Sequence, residues 1–164
     1  MLISVVVPCH NAEKTIADTI RSALAQDVER EVIVIDDGST DGSASVISSF
    51  GPQIRVERRA NAGVSAARNR GGELARGNFL QYLDSDDQLA PGTLRRRRDA
   101  LISTNADAAY TNWQKLVEEG RGGVSLSHLR FRCSNCGSSR SGWVVTSRYD
   151  DRPGTRSVET DHWR

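Results

Sequence analysis

Short apolar, β-branched runs separated by longer amphipathic stretches organise the first two thirds of the chain. Residues 2–7 are apolar throughout except for Ser4, the pattern of a strand covered on both faces in a parallel sheet, and Pro8 is expected to end it. Over residues 12–25, Ile16, Ile20, Ala23 and Leu24 fall on one face of a helix, with Asn11 placed to cap its free amides. Residues 32–35 repeat the strand signal. Residues 43–50 then predict a short helix with Val46, Ile47 and Phe50 turned inward, and residues 54–56 a brief third strand. Residues 64–75 read as a helix whose Ala66, Ala67 and Ala75 permit close packing. A fourth strand is expected at 79–83, a helix at 94–102 begun near Pro91 with Leu94 and Leu101 in the core, and a fifth strand at 108–111. Strands alternating with helices of this length predict an α/β domain, a mostly parallel sheet with helices on both faces.

Beyond about residue 113 the periodicity fades. Residues 114–164 are rich in Gly, Ser and Arg, with one compact strand candidate at 143–145, and too few apolar side chains to offset backbone ordering. The expected organisation is therefore a core over 1–113 and a poorly specified tail over 114–164. At 164 residues the chain is of single-domain size. Its 22 Lys and Arg against 21 Asp and Glu give a net charge of +1, so charge offers no argument for nucleic acid or another polyanion. No apolar stretch approaches the roughly 20 residues that span a bilayer, and the first strand lacks the basic flank and cleavage pattern of a leader. With three cysteines, too few for a disulfide framework, this leads to the expectation of a soluble cytoplasmic domain.

Acidic residues then change the picture, because they gather where apolar strands end. Asp36 and Asp37 follow residues 32–35, and Asp84, Asp86 and Asp87 follow residues 79–83. In an open α/β sheet, ligands bind at the carboxyl ends of the strands. A carboxylate at the first position suits the ring N–H of a nucleobase or the hydroxyls of a ribose. Gly38 permits the turn, and Ser39, Thr40 or Asp41 can cap the next helix. The plainer alternative is a strand-to-helix turn and nothing more. At the second position, Asp84 and Asp86 offer hard oxygen ligands to Mn²⁺ or Mg²⁺, which would bridge them to a diphosphate. Here the alternative is a solvated acidic turn with Asp87 as a cap.

Other ligand motifs are missing. No Gly-x-Gly-x-x-Gly follows the first strand, no Walker lysine motif occurs, and the acidic loop lacks the glycine and terminal glutamate of an EF-hand. Arg68, after the Asn61-Ala62-Gly63 turn, is placed to pair with Asp37 or a phosphate. Free amides near Gly63 add affinity for an anion at that helix start. Arg68 and Arg70 also read as ordinary surface arginines. The run Arg95–Arg98 reads as a solvated basic helix face, with weak attachment to anionic lipid as a secondary role.

Four motifs in order resemble the inverting family 2 glycosyltransferases, whose nucleotide-binding half has the GT-A fold. They are Ile3-Ser4-Val5-Val6-Val7-Pro8 with Asn11, Val34-Ile35-Asp36-Asp37-Gly38-Ser39-Thr40-Asp41, Asn61-Ala62-Gly63-Val64-Ser65-Ala66-Ala67-Arg68-Asn69, and Leu83-Asp84-Ser85-Asp86-Asp87. The resemblance covers residues 1 to about 113. It implies that Pro8 and His10 line a nucleoside pocket, that Asp37 contacts the base with Asp36 close by, and that Arg68 supports this region. It also implies that Asp84, Ser85 and Asp86 form the metal and diphosphate element, with Asp84 and Asp86 on Mn²⁺ or Mg²⁺. The implied reaction moves a sugar from a UDP-, GDP- or dTDP-sugar to a glycan, lipid-linked or other hydroxyl acceptor with inversion, as in cell-envelope polysaccharide biosynthesis at the inner face of the membrane.

Inversion needs a general base, which the family takes from its second half. The Gly-Gly-Phe segment and following Glu-Asp pair of that half are absent, and Glu159 and Asp161 are the only faint counterparts. The acceptor-binding half is thus expected to be incomplete, through truncation, a reading-frame shift after about Gly120, or divergence. The competing readings are a donor-binding module without turnover, and a nucleotidyltransferase, which the missing triphosphate loop disfavours. Cys133 and Cys136 have the spacing of half a zinc knuckle without a second half. Cys9 is expected to pack rather than react, and His10 to touch the donor or serve as an ordinary loop histidine.

Overall fold

The computed structural model describes residues 1–109 and 146–148. These form a six-stranded sheet in the order β3-β2-β1-β4-β6-β5, built from β1 (Ile3–Cys9), β2 (Arg30–Asp37), β3 (Arg55–Arg59), β4 (Phe79–Tyr82), β5 (Ala108–Ala109) and β6 (Thr146–Arg148). β1 pairs in parallel with β2 and β4, and β2 with β3, whereas β6 runs antiparallel to both β4 and β5. Helices α1 (Ile16–Leu24), α2 (Ser43–Ser48), α3 (Val64–Leu74) and α4 (Thr93–Thr104) make the connections among β1 to β5.

The sequence places the four long strands and four helices correctly, and the departures have local causes. β1 runs through Pro8 to Cys9 instead of stopping before the proline. Val6 and Pro8 face the β4 side, and β4 makes its last bond there, from Leu83 N–H to the Val6 carbonyl. The N–H that Pro8 lacks therefore has no strand to meet. β2 extends to Asp37, so both aspartates belong to the strand. α1 begins four residues later than expected, with Thr15 rather than Asn11 at its cap. α4 begins at Thr93 behind Gly92, so Asp87 caps nothing there. Only Ala108 and Ala109 of the predicted fifth strand are described. β6 lies within the segment expected to be poorly specified, just past the strand candidate at 143–145, which falls outside the described residues.

Alternation along β1 divides the core. Ile3, Val5, Val7 and Cys9 pack with Ile16 and Ile20 of α1, Ile47 of α2, and Leu94 and Leu101 of α4, while Val6 joins Ile33, Ile35, Leu80 and Ala67 of α3 on the opposite face. The second layer is close because α3 presents glycine to it. A Cβ at Gly71 would stand 2.2 Å from Val6 Cγ1. Gly71→Ala is expected to force α3 off the sheet and cost about 1–3 kcal/mol, read as a lower denaturation midpoint.

α4 departs most from expectation. Arg97 is buried, with its guanidinium donating to Gln81 Oε1 at 2.6 Å, and burial beside Arg96 pulls its pKa down to about 10. Arg95 pairs with Asp27 and Arg98 with Asp99, while Arg96 donates to the Pro91 carbonyl. Arg97 therefore belongs to the core, while Arg95 stays exposed and Arg96 and Arg98 are half-buried, so the run is not one solvated basic face. No helix among the described residues is long and apolar enough to cross a membrane.

Candidate active site

At the carboxyl ends of β1, β2 and β4 lies an open cleft of about 570 Å³. Pro8, His10, Asp37, Arg68, Asp84, Ser85 and Asp86, all nominated from sequence, line it, and so do Cys9, Asn61 and Ala67. Asp36 is absent from the lining. The two acidic motifs thus meet across one cavity, although they lie almost fifty residues apart along the chain.

The first acidic pair is buried. Asp36 and Asp37 are only 1% and 3% exposed, so neither side chain is open to solvent although both stand where their strand ends. A buried carboxylate needs compensation, and each has it. Asp36 accepts the Ser39 N–H at 2.9 Å and lies 3.3 Å from Arg58 Nε. Asp37 accepts the N–H groups of Ala62 and Gly63, the latter at 2.8 Å, and lies 3.4 Å from Arg59 Nε. Strand register sets these pairings, since Asp36 stands opposite Arg58 and Asp37 opposite Arg59 in the β2–β3 ladder.

Two expectations are corrected here. Arg68 does not pair with Asp37, and the amides near Gly63 are taken by the Asp37 carboxylate rather than left for a ligand. The arginines that hold the pair, Arg58 and Arg59, were missed. Their signal was present in the sequence, as two adjacent acids ending one strand and two adjacent bases ending its neighbour.

Around Asp37 the loops are laced together. Nδ1 of His10 is 2.9 Å from the Asp37 carbonyl, which accepts from the ring when Nδ1 carries the proton. Nε2 is then the acceptor and lies 3.2 Å from the Asn61 carboxamide nitrogen. Asn11, at φ +51°, accepts the Thr40 N–H and donates its own N–H to Ser39 Oγ. Its task is to hold the loop after β2, not to cap α1. Gly38 has φ +74°, and a Cβ there would lie 2.7 Å from Asn61 N, so only glycine brings the two loops this close. Cys9 is buried, and burial with Asp36 nearby pushes its thiol pKa up, which suits packing and not nucleophilic attack.

The second acidic cluster is exposed and uneven. Arg68 Nη2 contacts Asp84 Oδ1 at 2.6 Å, whereas Asp86 is open to solvent and Asp87, though its side chain is exposed, rests partly against the protein. The Asp87 pKa is raised, first by partial burial and then by the charges of Asp86 and Asp84. Ionising Asp87 therefore works against the fold. That cost is absent below the ordinary carboxylate range and complete above the raised pKa.

Among the described residues, no group of three His, Cys, Asp or Glu side chains is gathered to hold a metal by protein ligands alone. The donor set nonetheless fits a divalent cation of the Mg²⁺ or Mn²⁺ kind. It offers hard carboxylate oxygens and mutual repulsion that a cation would relieve, and such ions bind through one or two carboxylates completed by phosphates. Glu159 and Asp161, nominated as general bases, and the Cys133–Cys136 pair lie outside the described residues.

A parallel sheet carrying helices on both faces, with acidic loops converging beyond its strand ends, defines a GT-A, Rossmann-like architecture. The chain belongs to glycosyl transferase family 2, whose family model matches residues 4–145. Among curated relatives, it is 36% identical over 122 residues to the succinoglycan biosynthesis protein ExoO of Rhizobium meliloti, a match covering 73% of this chain and 35% of that protein. It is 33% identical over 114 residues to the uncharacterized glycosyltransferase YibD of Escherichia coli, covering 67% and 33%. Among solved structures, S. aureus TarS 1-349 in complex with UDP-GlcNAc superposes with a TM-score of 0.64 at 31% identity, covering 75% of this chain and 37% of that one. The chain thus spans about a third to a half of the length of the first curated relatives.

Proposed function

We propose that the cleft binds a nucleotide-sugar donor and a divalent cation, and that the chain serves transfer of the sugar to a glycan, lipid-linked or other hydroxyl acceptor with inversion. The observation that carries this reading is the single cavity lined by His10, Asp37 and Asn61 on one side and by Arg68, Asp84 and Asp86 on the other. The nucleoside belongs at the first group, where Asp37 acts chiefly by fixing the 61–63 turn. The diphosphate belongs at the second, where Asp84 and Asp86 would hold Mn²⁺ or Mg²⁺. When bound, the cation supplies neutralisation of the charge that grows on the departing nucleoside diphosphate. The ion pair of Arg68 with Asp84, at 2.6 Å, ties the acidic loop to α3 in the free protein. UDP is the first nucleotide to test, because the TarS complex contains a UDP-sugar.

Calorimetric titration with UDP, GDP and dTDP, each with and without Mn²⁺, tests the reading. One nucleotide is expected to bind preferentially and at least about tenfold more tightly with the metal. Absence of metal-dependent binding to all three would sink it. Arg68→Met removes the guanidinium that competes for Asp84. It is expected to tighten Mn²⁺ binding measured without nucleotide by about three- to tenfold while weakening metal-free UDP binding.

A second reading is donor binding without turnover. The observation favouring it is that neither the Gly-Gly-Phe segment nor the following Glu-Asp pair occurs in residues 1–164. It predicts metal-dependent nucleotide affinity with neither donor hydrolysis nor product. Under the first reading, Glu159 or Asp161 is the general base, and replacing both residues abolishes transfer while leaving nucleotide affinity unchanged.

A further inference from the structure

α1 and the residue after its C-cap carry polar side chains turned toward the acidic loop instead of solvent. Thr19 of α1 is fully buried, and Gln26, just past the helix's C-cap Ala25, is 2% exposed, which is unusual for polar side chains. Each reaches backbone in the segment between Asp84 and α4. Thr19 Oγ1 donates to the Ser85 carbonyl at 2.9 Å, the Thr15 carbonyl at 3.3 Å being its alternative within the helix. Ser22 Oγ accepts the Leu89 N–H at 3.0 Å and donates to the Thr19 carbonyl at 2.8 Å. The Gln26 amide nitrogen donates to the Ala90 carbonyl at 3.1 Å, and its oxygen accepts the Leu94 N–H at 3.2 Å.

Thr19 and Ser22, three residues apart, share one side of α1, and Gln26, just beyond the helix, is tied to the same side by its amide nitrogen donating to the Ser22 carbonyl at 3.1 Å. The Leu94 contact also has a local reason. α4 starts behind Gly92, a left-handed residue with no side chain to cap the helix, so Gln26 supplies from another element the acceptor that the α4 amide needs.

These contacts fall on both sides of Asp86. Ser85 stands immediately before it, and Leu89 and Ala90 follow. Within the loop itself, Asp87 N–H donates to the Asp84 carbonyl at 3.0 Å, closing a turn around residues 84–87. Three adjacent carboxylates repel one another, and Asp86 has no ion pair among those described. Backbone clamped within the turn at Ser85 and after it at Leu89 and Ala90 opposes the opening that this repulsion favours.

We infer that Thr19 and Ser22 of α1, with Gln26 just past its C-cap, are positioning residues that clasp the Asp84–Asp87 turn and hold its carboxylates ready for a cation and a diphosphate. They touch neither. The clasp rests on the cleft reading above, and its consequence is specific: loosening it costs metal-dependent nucleotide affinity and leaves the nucleoside side of the cleft as it was.

The test is titration of the full chain with UDP, with and without Mn²⁺, in Thr19→Val and Thr19→Ser. Valine keeps the shape and removes the hydroxyl, and serine keeps the hydroxyl. Thr19→Val is expected to lose about five- to tenfold in UDP affinity with Mn²⁺ and less than about twofold without it, and Thr19→Ser is expected to restore the loss. Gln26→Glu serves as a second variant, since its carboxylate still accepts from Leu94 N–H but no longer donates to Ala90. It is expected to show the same split. Equal loss with and without metal, or loss only in thermal stability, would overturn the clasp. If the unmodified chain gains nothing from Mn²⁺, the cleft reading fails and the clasp's proposed role fails with it. If it gains and Thr19→Val gains equally, the clasp alone is wrong.

Discussion

Asp86→Ala is expected to lower metal-dependent turnover of the donor, read as nucleotide release or sugar transfer, by about 100-fold or more. Most of that loss should appear in kcat, with thermal stability changed little. The magnitude is that of removing one preorganised group from a developing charge. The small effect on folding follows from position. Asp86 is exposed and carries no ion pair among those described, so the free protein loses no buried contact with it. Removing one of three crowded acids also relieves the repulsion felt by Asp87, whose pKa should fall toward the ordinary carboxylate value. A midpoint unchanged or slightly raised, together with lost turnover, is the expected pair of results. A folded variant retaining full metal-dependent activity would remove Asp86 from the site.

The opposite balance is expected at Asp37. Asp37→Ala strands Arg59 and the N–H groups of Ala62 and Gly63, which the buried carboxylate now satisfies, and is expected to cost about 3–5 kcal/mol of stability. The damage should extend to binding, because the 61–63 turn carries Asn61 into the cleft beside His10. Asp37→Asn keeps the shape but turns an amide N–H₂ toward backbone donors, and should cost less than alanine without being neutral. Urea denaturation of the two variants, followed by UDP titration below the transition, checks both parts. If Asp37→Ala is as stable as the unmodified chain, then the carboxylate is not what holds the turn.

The contrast between these aspartates marks what the sequence reveals. Apolar periodicity locates strands and helices well, because the face a residue turns to the core is a one-dimensional property. The β1 pattern was legible, and so was the meeting of the two acidic motifs beyond the strand ends. Burial of individual polar groups was not. Asp36 and Asp37 look like rim residues until β3 brings Arg58 and Arg59 alongside them, and that register is a property of the sheet.

The contact between Arg68 and Asp84 was not legible either, since nothing local distinguishes Asp37 from Asp84 as an acceptor. Arg97 shows the converse. Within a run of four arginines it reads as solvated, yet it is the one whose helical position points beneath the sheet toward Gln81. The roles of Thr19, Ser22 and Gln26 were invisible because polar residues on and just past an amphipathic helix look like its solvent side, and only the loop from β4 to α4, about seventy residues on, reveals what they hold.

The most direct test of one cleft serving nucleoside and cation together is the crystal structure of the chain soaked with UDP and Mn²⁺, with data collected at the manganese edge. The expected result is an anomalous peak against the Asp84 and Asp86 carboxylates, joined through the diphosphate to a uracil near His10 and Asn61. A manganese peak elsewhere, or UDP bound with its base remote from His10, would contradict the account.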